Sequence, residues 1–320
     1  MITRDPEAAA VVLRAGGLAA LPTETVYGLA ADAADAAALR RLYAVKGRPV
    51  DHPSIVHLAD PADAPAWAGS WPPAAQCLAE AFWPGPLTLI LPAGGRAAPE
   101  ALGGTGTIGL RVPDHPLTRA AIAAAGTGVA APSANRFGRV SPTRADHVVA
   151  DLGDDVDVIL DGGPCRVGVE STIVDLTGAA PRILRPGAIT AAMVETALAT
   201  ALDRDPTDAP RAPGTLASHY APRLPVIVAG DAAALRLDPD DALIAPSSVL
   251  AELRHPGPTF DAGDDAETYA TRLYALLRDA DRSGAMRIAA VAPAPGGVGD
   301  AVRDRLRRAA AEAPDADERT

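Results

Sequence analysis

Four segments of the sequence concentrate polar side chains of the types that bind phosphate and carboxylate groups. They are PTETVYGLAADA (22–33), YAVKGRPVDHPSIVH (43–57), TIGLRVPDHP (107–116) and VAAPSANRFGRVSPT (129–143). The first follows a predicted buried strand, and ligands of α/β proteins gather at the carboxyl ends of strands. Its threonines and glutamate would also suit a capped turn. By itself, this segment leaves a ligand site and a structural turn open.

Lys46 and Arg48 lie directly after a predicted helix over 35–45. A lysine point charge beside an arginine fork suits a polyphosphate. Basic residues at a solvated helix C-terminus, where they interact favourably with the helix dipole, are the alternative. Lys46 is the only lysine and Asn135 the only asparagine of the chain, which suggests a specific requirement at both positions. Gln76 is equally isolated without any sign of function, so rarity alone does not decide.

Arg111 falls on a predicted strand whose other residues are apolar. Arginine is almost never fully buried without a partner, so a carboxylate is expected beside it. That partner is either an internal Asp or Glu or the acid group of a ligand. In the fourth segment, Ser133, Asn135 and Ser141 stand among backbone amides that can donate hydrogen bonds to a phosphate without net charge.

The elements that would position these residues alternate between helix and strand up to residue 202. Apolar runs bounded by turn residues predict strands at 18–22, 54–58, 86–92, 107–113, 128–132, 156–163, 171–178 and 181–187. Capped amphipathic patterns predict helices from Asp5 to Gly16 and at 35–45, 72–83, 115–126, 143–153 and 190–202. Helices interspersed with strands, followed by a cluster of strands, predict a mixed α/β sheet domain over 1–202.

The organisation changes after residue 202. Residues 203–222 are rich in Pro and Asp and lack apolar periodicity, which predicts a linker. Residues 223–312 predict a small Rossmann-like domain with a parallel sheet, with strands at 225–230, 241–247 and 287–293 and helices at 231–237, 266–282 and 300–312. The tail 313–320 is predicted to be disordered.

The bulk composition restricts the classes of function. Apolar residues make up 48% and charged residues 22%, as in soluble globular proteins. A net charge of −11 is unsuited to coating nucleic acid, so any cationic site must be local. No apolar run approaches the roughly 18 residues of a membrane span, no signal peptide is apparent, and Cys77 and Cys165 match no disulfide or metal framework. We therefore expect a cytoplasmic protein without membrane association.

Seven motifs in order along residues 7–202 resemble the YrdC/Sua5 family. They are LPTETVYGLAADA, YAVKGRP, FWPGPLTLIL, GLRVPDHP, APSANRFGRVSPT, LDGGPCRVGVESTIVDL and ILRPGAIT. The linker motif APGTLASHYAP and the Rossmann-like region resemble the two-domain Sua5 subtype rather than the single-domain YrdC subtype. The resemblance implies an open twisted mixed α/β sheet domain with a basic cleft. It also implies L-threonylcarbamoyladenylate synthase activity, which is that of a nucleotidyltransferase.

The resemblance further implies which residues bind the substrates. Lys46 and Arg48 would be the catalytic pair. Positions that match ATP-binding residues of the family are Lys46, Arg48, His52 (where Asn is usual), Thr107, Ser133, Asn135, Ser141, Arg185, His219 and Tyr220. Positions that match its L-threonine-binding residues are Thr25, His57, Arg111, Ala131 and Ser171. Arg111 would take the carboxylate of the amino acid.

In the implied reaction, the threonine amine adds to CO2 derived from bicarbonate, the new carboxylate attacks the α-phosphorus of ATP, and pyrophosphate leaves. The protein needs no nucleophile of its own and mainly positions the reactants and offsets charge. Mg²⁺ would bridge phosphate oxygens instead of binding protein side chains. The linker would form a lid with Gly214 as its hinge. A downstream threonylcarbamoyl transferase complex would pass the product to tRNA, and direct tRNA binding by this chain stays open.

Two other functions remain as alternatives. A basic concave surface on this fold would suit an RNA-binding module, against which the net charge of −11 argues. A carbamoyl-transfer enzyme is the second alternative, since related domains occur in such enzymes together with additional regions that this sequence lacks.

Overall fold

The computed structural model describes residues 1–204, 212–214 and 219–311 of the chain. The chain forms two compact units. The first comprises Met1–Phe137 and Ser141–Thr215, and the second comprises Gly138–Val140 and Leu216–Thr320. About half of the predicted linker and the whole predicted tail at 313–320 lie outside the described residues, so the linker, the tail and the predicted domain boundaries stay predictions.

One mixed sheet forms the centre of the first unit. Its ten described strands are β1 Ile2–Thr3, β2 Ala19–Leu21, β3 Gly28–Asp32, β4 Ile55–His57, β5 Leu87–Pro92, β6 Thr107–Arg111, β7 Val129–Ala130, β8 Val158–Leu160, β9 Thr172–Asp175 and β10 Arg182–Arg185. Their order is β1-β8-β2-β3-β7-β4-β6-β5-β9-β10. Parallel pairs such as β4 with β6 occur beside antiparallel pairs such as β5 with β6.

The described helices of the first unit are α1 Pro6–Arg14, α2 Ala36–Lys46, α3 Pro73–Phe82, α4 Pro99–Leu102, α5 Pro116–Ala125, α6 Ala145–Leu152 and α7 Ala191–Leu198. Short 3-10 turns occur at Pro61–Ala66 and Gly153–Asp155. The core against the sheet is built mainly from Leu, Ala, Val and Ile. Aromatic residues make up only 3% of the chain, and two of them, Tyr27 and Tyr43, are among its largest fully buried side chains.

The second unit has its own four-stranded sheet, in which all pairs are parallel. Its described elements are β11 Val226–Ala229, β12 Asp241–Ala245, α8 Ser247–Glu252, β13 Thr259–Asp261, α9 Ala266–Asp281, β14 Arg287–Val291 and α10 Gly299–Ala310, with a 3-10 turn at Ala232–Ala234. The strand order is β11-β14-β12-β13. The predicted fold class, a mixed α/β sheet domain followed by a small parallel-sheet domain, is confirmed.

Local interactions determine both the first and the last residue of α2. The Asp35 side chain accepts hydrogen bonds from the backbone amides of Ala37 and Ala38 and thereby caps the first turn. Gly47 ends the helix in the left-handed region at φ 63°, which glycine adopts without the steric cost that a Cβ would add. Lys46 is therefore the last residue of the helix.

Several elements differ from those predicted. The helix predicted at 231–237 is wrong, because only a 3-10 turn at Ala232–Ala234 forms there. A seven-residue helix is too short to be stable without a well-packed face. The sequence patterns also missed β1, β3, α4, α8 and β13. Strand β3 has the sequence GLAAD, without a β-branched residue, and its pairing with β2 and β7 stabilises it instead.

Within the described residues, no helix is both long and apolar enough to cross a membrane.

Leu110 is fully buried on β6 and lies opposite Val56 and Leu89 on the neighbouring strands. We expect Leu110→Ala to lower the free energy of unfolding by about 2–5 kcal/mol, because it removes buried contacts and leaves a cavity. Differential scanning calorimetry would measure the change. Val149→Ala, at an exposed position of α6, is the control and should have little effect. Equal effects of the two substitutions would contradict the central place of β6 in the core.

Candidate active site

Lys46 is 2% exposed at the C-terminal end of α2. Its ammonium group donates hydrogen bonds to the backbone carbonyls of Ser133, at 2.5 Å, and Asn135, at 2.6 Å. Burial, and after it the positive charge of Arg48, holds the pKa of Lys46 well below its usual value. A polyanion bound nearby would oppose both effects and favour the charged amine.

Arg48 and His52 are joined through one aromatic ring. The Nη2 group of Arg48 donates to the carbonyl of Pro53 at 2.7 Å, and its guanidinium carbon lies 5.8 Å from the ring centre of Phe137. The imidazole of His52 contacts the same phenylalanine edge-on, with ring centres 5.5 Å apart. Phe137 thus ties the segment after α2 to the loop at 129–143.

The backbone of that loop is fixed by pairing with the segment at 27–29. Ser133 forms an isolated bridge with Gly28, and the backbone amide of Ala134 donates to the carbonyl of Tyr27 at 2.8 Å. A side chain at Gly28 would crowd Ala131, with a Cβ only 3.1 Å from its methyl group. The close approach of the two segments sets where the carbonyls that receive Lys46 point.

Two further polar side chains of the loop contact the protein itself. The Asn135 amide donates to the carbonyl of Arg136 at 2.7 Å. The fully buried Ser141 hydroxyl donates to the Oε1 atom of Glu170 at 2.7 Å. Ser141 therefore lies beside a carboxylate whose chain neighbour is Ser171.

Arg111 forms a buried ion pair with Glu24. Its Nη2 group donates to the Oε1 atom of Glu24 at 2.7 Å, and the two side chains are 4% and 2% exposed. The Nε group of Arg111 donates to the carbonyl of Gly85 at 3.2 Å. The sequence left an internal and a ligand carboxylate open as partners, and the structure provides an internal one.

His57 is buried directly beside Arg111, because the two residues are Cα partners in the β4–β6 register. Its Nδ1 atom lies 3.3 Å from the carbonyl of Ile55, which favours the tautomer with hydrogen on Nδ1. Burial, and then the positive charge of Arg111, lowers the pKa of His57 to about 3. His57 is therefore neutral near pH 7, and its Nε2 atom can accept a hydrogen bond.

Thr25 and Ala131 each lie just outside a strand of the first unit. The Thr25 hydroxyl lies 2.8 Å from that of Thr23, which donates to the carbonyl of Val26 at 2.7 Å. The backbone amide of Ala131 donates to the carbonyl of Ile55 at 3.0 Å. Thr25 is thus held by a neighbour in sequence and Ala131 by pairing with a distant segment, both within the first unit.

Ser171 and Arg185 are bonded to one another. Arg185 donates to the backbone carbonyl of Ser171 through Nε and Nη2 and to its hydroxyl at 3.1 Å. The Ser171 hydroxyl also lies 2.8 Å from that of Thr88, and Nη1 of Arg185 donates to the carbonyl of Pro213 at 2.9 Å. Thr107, by contrast, contacts Thr105 with hydroxyl oxygens 2.9 Å apart and is not bonded to another predicted site residue among those described.

His219 and Tyr220 belong to the second unit. Their rings are 4.1 Å apart, Tyr220 stacks on Tyr274 at 5.7 Å, and the guanidinium carbon of Arg305 lies 5.3 Å from the Tyr220 ring centre. Tyr220 is buried and adopts a positive φ of 64°, which is uncommon for a residue with a side chain. Their predicted contact with ATP stays a prediction.

The structure thus brings the four polar segments of the first unit together. Lys46 joins the second to the fourth, Glu24 and Arg111 join the first to the third, and His57 lies beside Arg111. Sequence patterns missed Glu24, Glu170 and Thr88 as members of this region. The sequence did contain a clue to Glu24. A carboxylate was expected beside Arg111, and Glu24 stands in the polar motif PTET.

Positive charge is concentrated in this region although the chain as a whole has a net charge of −11. Lys46, Arg48, Arg111 and Arg185 are all buried. Among the described residues, no group of three or more His, Cys, Asp or Glu side chains could hold a metal ion. The region is suited to anionic ligands such as phosphates and carboxylates.

Comparison with known proteins identifies the class. Residues 11–187 match the Sua5/YciO/YrdC family model, which is described as telomere recombination, and residues 189–311 match the C-terminal domain of threonylcarbamoyl-AMP synthase. The chain therefore belongs to the Sua5/YciO/YrdC family, and the second match places it with the two-domain Sua5 proteins. The resemblance found in the sequence is confirmed.

Particular relatives share most of the length of the chain. It is 38% identical to a threonylcarbamoyl-AMP synthase of Pyrococcus abyssi, over 94% of this chain and 92% of that protein. It is 43% identical to one from Bacillus subtilis, over 71% and 67%. The crystal structure of P. abyssi Sua5 complexed with L-threonine superposes with a TM-score of 0.89 at 36% identity and covers 97% of each chain.

The lowered pKa of His57 predicts an acid-sensitive fold. Because the unfolded state takes up a proton near pH 6.5 and the folded state near pH 3, stability falls as the pH drops between these values. Between pH 7 and 5, His57 alone should reduce the free energy of unfolding by about 2 kcal/mol. Chemical denaturation at both pH values should therefore show a smaller acid loss for His57→Asn than for wild type. Equal losses would contradict a neutral, buried His57.

Proposed function

We propose that this protein is an L-threonylcarbamoyladenylate synthase, a nucleotidyltransferase that converts L-threonine, bicarbonate and ATP into threonylcarbamoyl-AMP and pyrophosphate. The observation that carries the proposal is the burial of Lys46 against the loop that holds Ser133 and Asn135, in a net-acidic chain. The names of its relatives and the L-threonine complex of P. abyssi Sua5 support the same activity.

The reaction proceeds in two steps with balanced atoms. The neutral amine of threonine attacks the carbon of CO2, which bicarbonate supplies with loss of hydroxide, and releases a proton as the N-carboxylate forms. An oxygen of that carboxylate then attacks the α-phosphorus of ATP, and the bond to the β-phosphate oxygen breaks so that pyrophosphate leaves. Neither step requires a covalent bond to the protein, whose task is orientation and charge compensation.

The buried cations suit the phosphates of ATP and the carboxylate of L-threonine. Lys46 and Arg48 compensate the charge of the phosphates and act as the catalytic pair. The remaining proposed ATP-binding residues are His52, Thr107, Ser133, Asn135, Ser141, Arg185, His219 and Tyr220. L-Threonine is held by Thr25, His57, Arg111, Ala131 and Ser171, with its carboxylate on Arg111.

Mg²⁺ would accompany ATP and offset part of the negative charge of its phosphates, and no protein side chain is proposed as its ligand. The adenylate is the first product on the route to N6-threonylcarbamoyladenosine at position 37 of tRNA. A separate threonylcarbamoyl transferase complex consumes it. The lid predicted from the sequence for the linker would include residues 205–211 and 215–218, which lie outside the described residues.

A pyrophosphate-release assay tests the reaction directly. With ATP, Mg²⁺ and bicarbonate present, we expect release to depend on added L-threonine, because the N-carboxylate is the nucleophile. Mass spectrometry should detect threonylcarbamoyl-AMP in the same mixture. Pyrophosphate release that does not depend on threonine would favour one of the alternatives over the synthase. Salt-sensitive RNA binding without pyrophosphate release would do so as well.

Replacing Lys46 tests the centre of the proposed site. We expect Lys46→Ala to lower kcat/KM for ATP. The decrease should correspond to about 2–4 kcal/mol of lost transition-state stabilisation, the loss typical of one electrostatic donor. Arg40→Ala, at an exposed cation of the same helix, is the matched control and should retain wild-type kinetics. An unchanged kcat/KM in a folded Lys46→Ala variant would remove Lys46 from the site.

A further inference from the structure

Glu24 is a buried carboxylate that neither the family resemblance nor the sequence patterns assigned to a substrate. Each of its two carboxylate oxygens accepts a hydrogen bond. Oε1 accepts from Nη2 of Arg111 at 2.7 Å, and Oε2 accepts from the backbone amide of Asp114 at 3.1 Å. The carboxylate thus links the side chain at the end of β6 to the turn that follows it.

The backbone of Glu24 is fixed as well. Its carbonyl accepts from the amide of Val167 at 2.7 Å, in the segment that leads to Ser171. The preceding Thr23 hydroxyl accepts from the backbone amides of Thr25, at 3.1 Å, and Val26, at 3.2 Å. Glu24 therefore has little freedom to move away from Arg111.

The contacts of Arg111 leave one donor group available. Nε is bonded to the carbonyl of Gly85 and Nη2 to Glu24. Across residues 1–204, 212–214 and 219–311, the hydrogen bonds of the Arg111 side chain run through Nε and Nη2, and Nη1 makes none with the protein. Because the guanidinium is planar, two fixed donors also fix the direction of the third.

We propose that Glu24 is a positioning residue for amino-acid recognition, which holds Arg111 so that Nη1 points at the substrate carboxylate. The inference rests on the proposed function, because it takes L-threonine as the ligand of Arg111. Glu24 acts through Arg111 and does not itself touch the substrate. Its negative charge also compensates the buried charge of Arg111, since a buried arginine without a partner is costly.

Two possible roles of Glu24 predict opposite signs for the same substitution. If Glu24 acted only through its charge, its neutralisation would leave Arg111 more electropositive and tighten the binding of an anionic carboxylate. If Glu24 acts by positioning, the loss of the strong acceptor lets the guanidinium turn away and weakens binding. Glu24→Gln separates the two, because it removes the charge and nearly retains the shape.

Isothermal titration calorimetry with L-threonine gives the first readout. We expect Glu24→Gln to raise the Kd for L-threonine roughly ten- to hundredfold, the range for one lost charge-assisted hydrogen bond. In turnover, KM for L-threonine should rise in parallel while KM for ATP stays within about twofold, because the effect is confined to one ligand. Glu7→Gln, which breaks the exposed Arg14–Glu7 pair at 2.6 Å, is the matched control and should bind as wild type does.

A second variant covers the case in which Glu24→Gln does not fold. Glu24→Asp keeps the negative charge but shortens the side chain, so positioning predicts a similar loss of L-threonine affinity and a purely electrostatic role predicts none. Combining either variant with Arg111→Lys should give a loss smaller than the sum of the single losses, because both changes act on one contact.

Several outcomes would overturn the proposal. They are tighter or unchanged L-threonine binding in folded Glu24→Gln or Glu24→Asp, additive losses with Arg111→Lys, and parallel increases in KM for ATP. A fall in thermal stability with unchanged affinity would assign Glu24 a structural role only. Wild-type protein that binds L-threonine and releases pyrophosphate, while the variants behave like it, would refute this inference and leave the proposed function intact. Wild-type protein that does neither would refute the proposed function itself.

Discussion

A buried ammonium group must exchange its water for oxygen ligands, since an uncompensated charge in a protein interior costs several kcal/mol. The carbonyls of Ser133 and Asn135 meet this requirement for Lys46. They can do so only because α2 ends at Gly47 and the loop at 129–143 pairs with the strand segment beside it. The hydrogen bonds of Lys46 therefore depend on a helix terminus, a loop conformation and a strand pairing.

The same constraint acts a second time at Arg111. There the compensating group is the carboxylate of Glu24, and the sheet supplies the geometry by placing His57 across from the arginine. Burial, and after it the charge of Arg111, lowers the pKa of His57 and keeps the imidazole neutral. Recognition of an amino acid at this position would then combine one charged donor with one neutral acceptor, a pairing suited to a ligand with both a carboxylate and a hydroxyl group.

Most polar groups in the region already have protein partners. Ser141 bonds Glu170, Ser171 bonds Arg185 and Thr88, and Arg48 bonds a backbone carbonyl. Such mutual contacts hold side chains in place before any ligand arrives, which reduces reorganisation during a reaction. A reaction that depends on orienting three reactants benefits from this arrangement more than one that depends on a single reactive side chain.

The sequence by itself determined the fold class, most of the elements and the side chains that carry charge, because apolar periodicity and turn residues are local properties. It also showed that Arg111 needs a carboxylate. Only the tertiary structure decided that this carboxylate is Glu24, since the two residues are far apart in the chain and meet through packing. The strand Gly28–Asp32 could likewise not be predicted from local patterns, because pairing with the neighbouring strands stabilises it and its own residues do not favour a strand. The helix expected at 231–237 failed for the converse reason, as favourable local residues there could not replace packing.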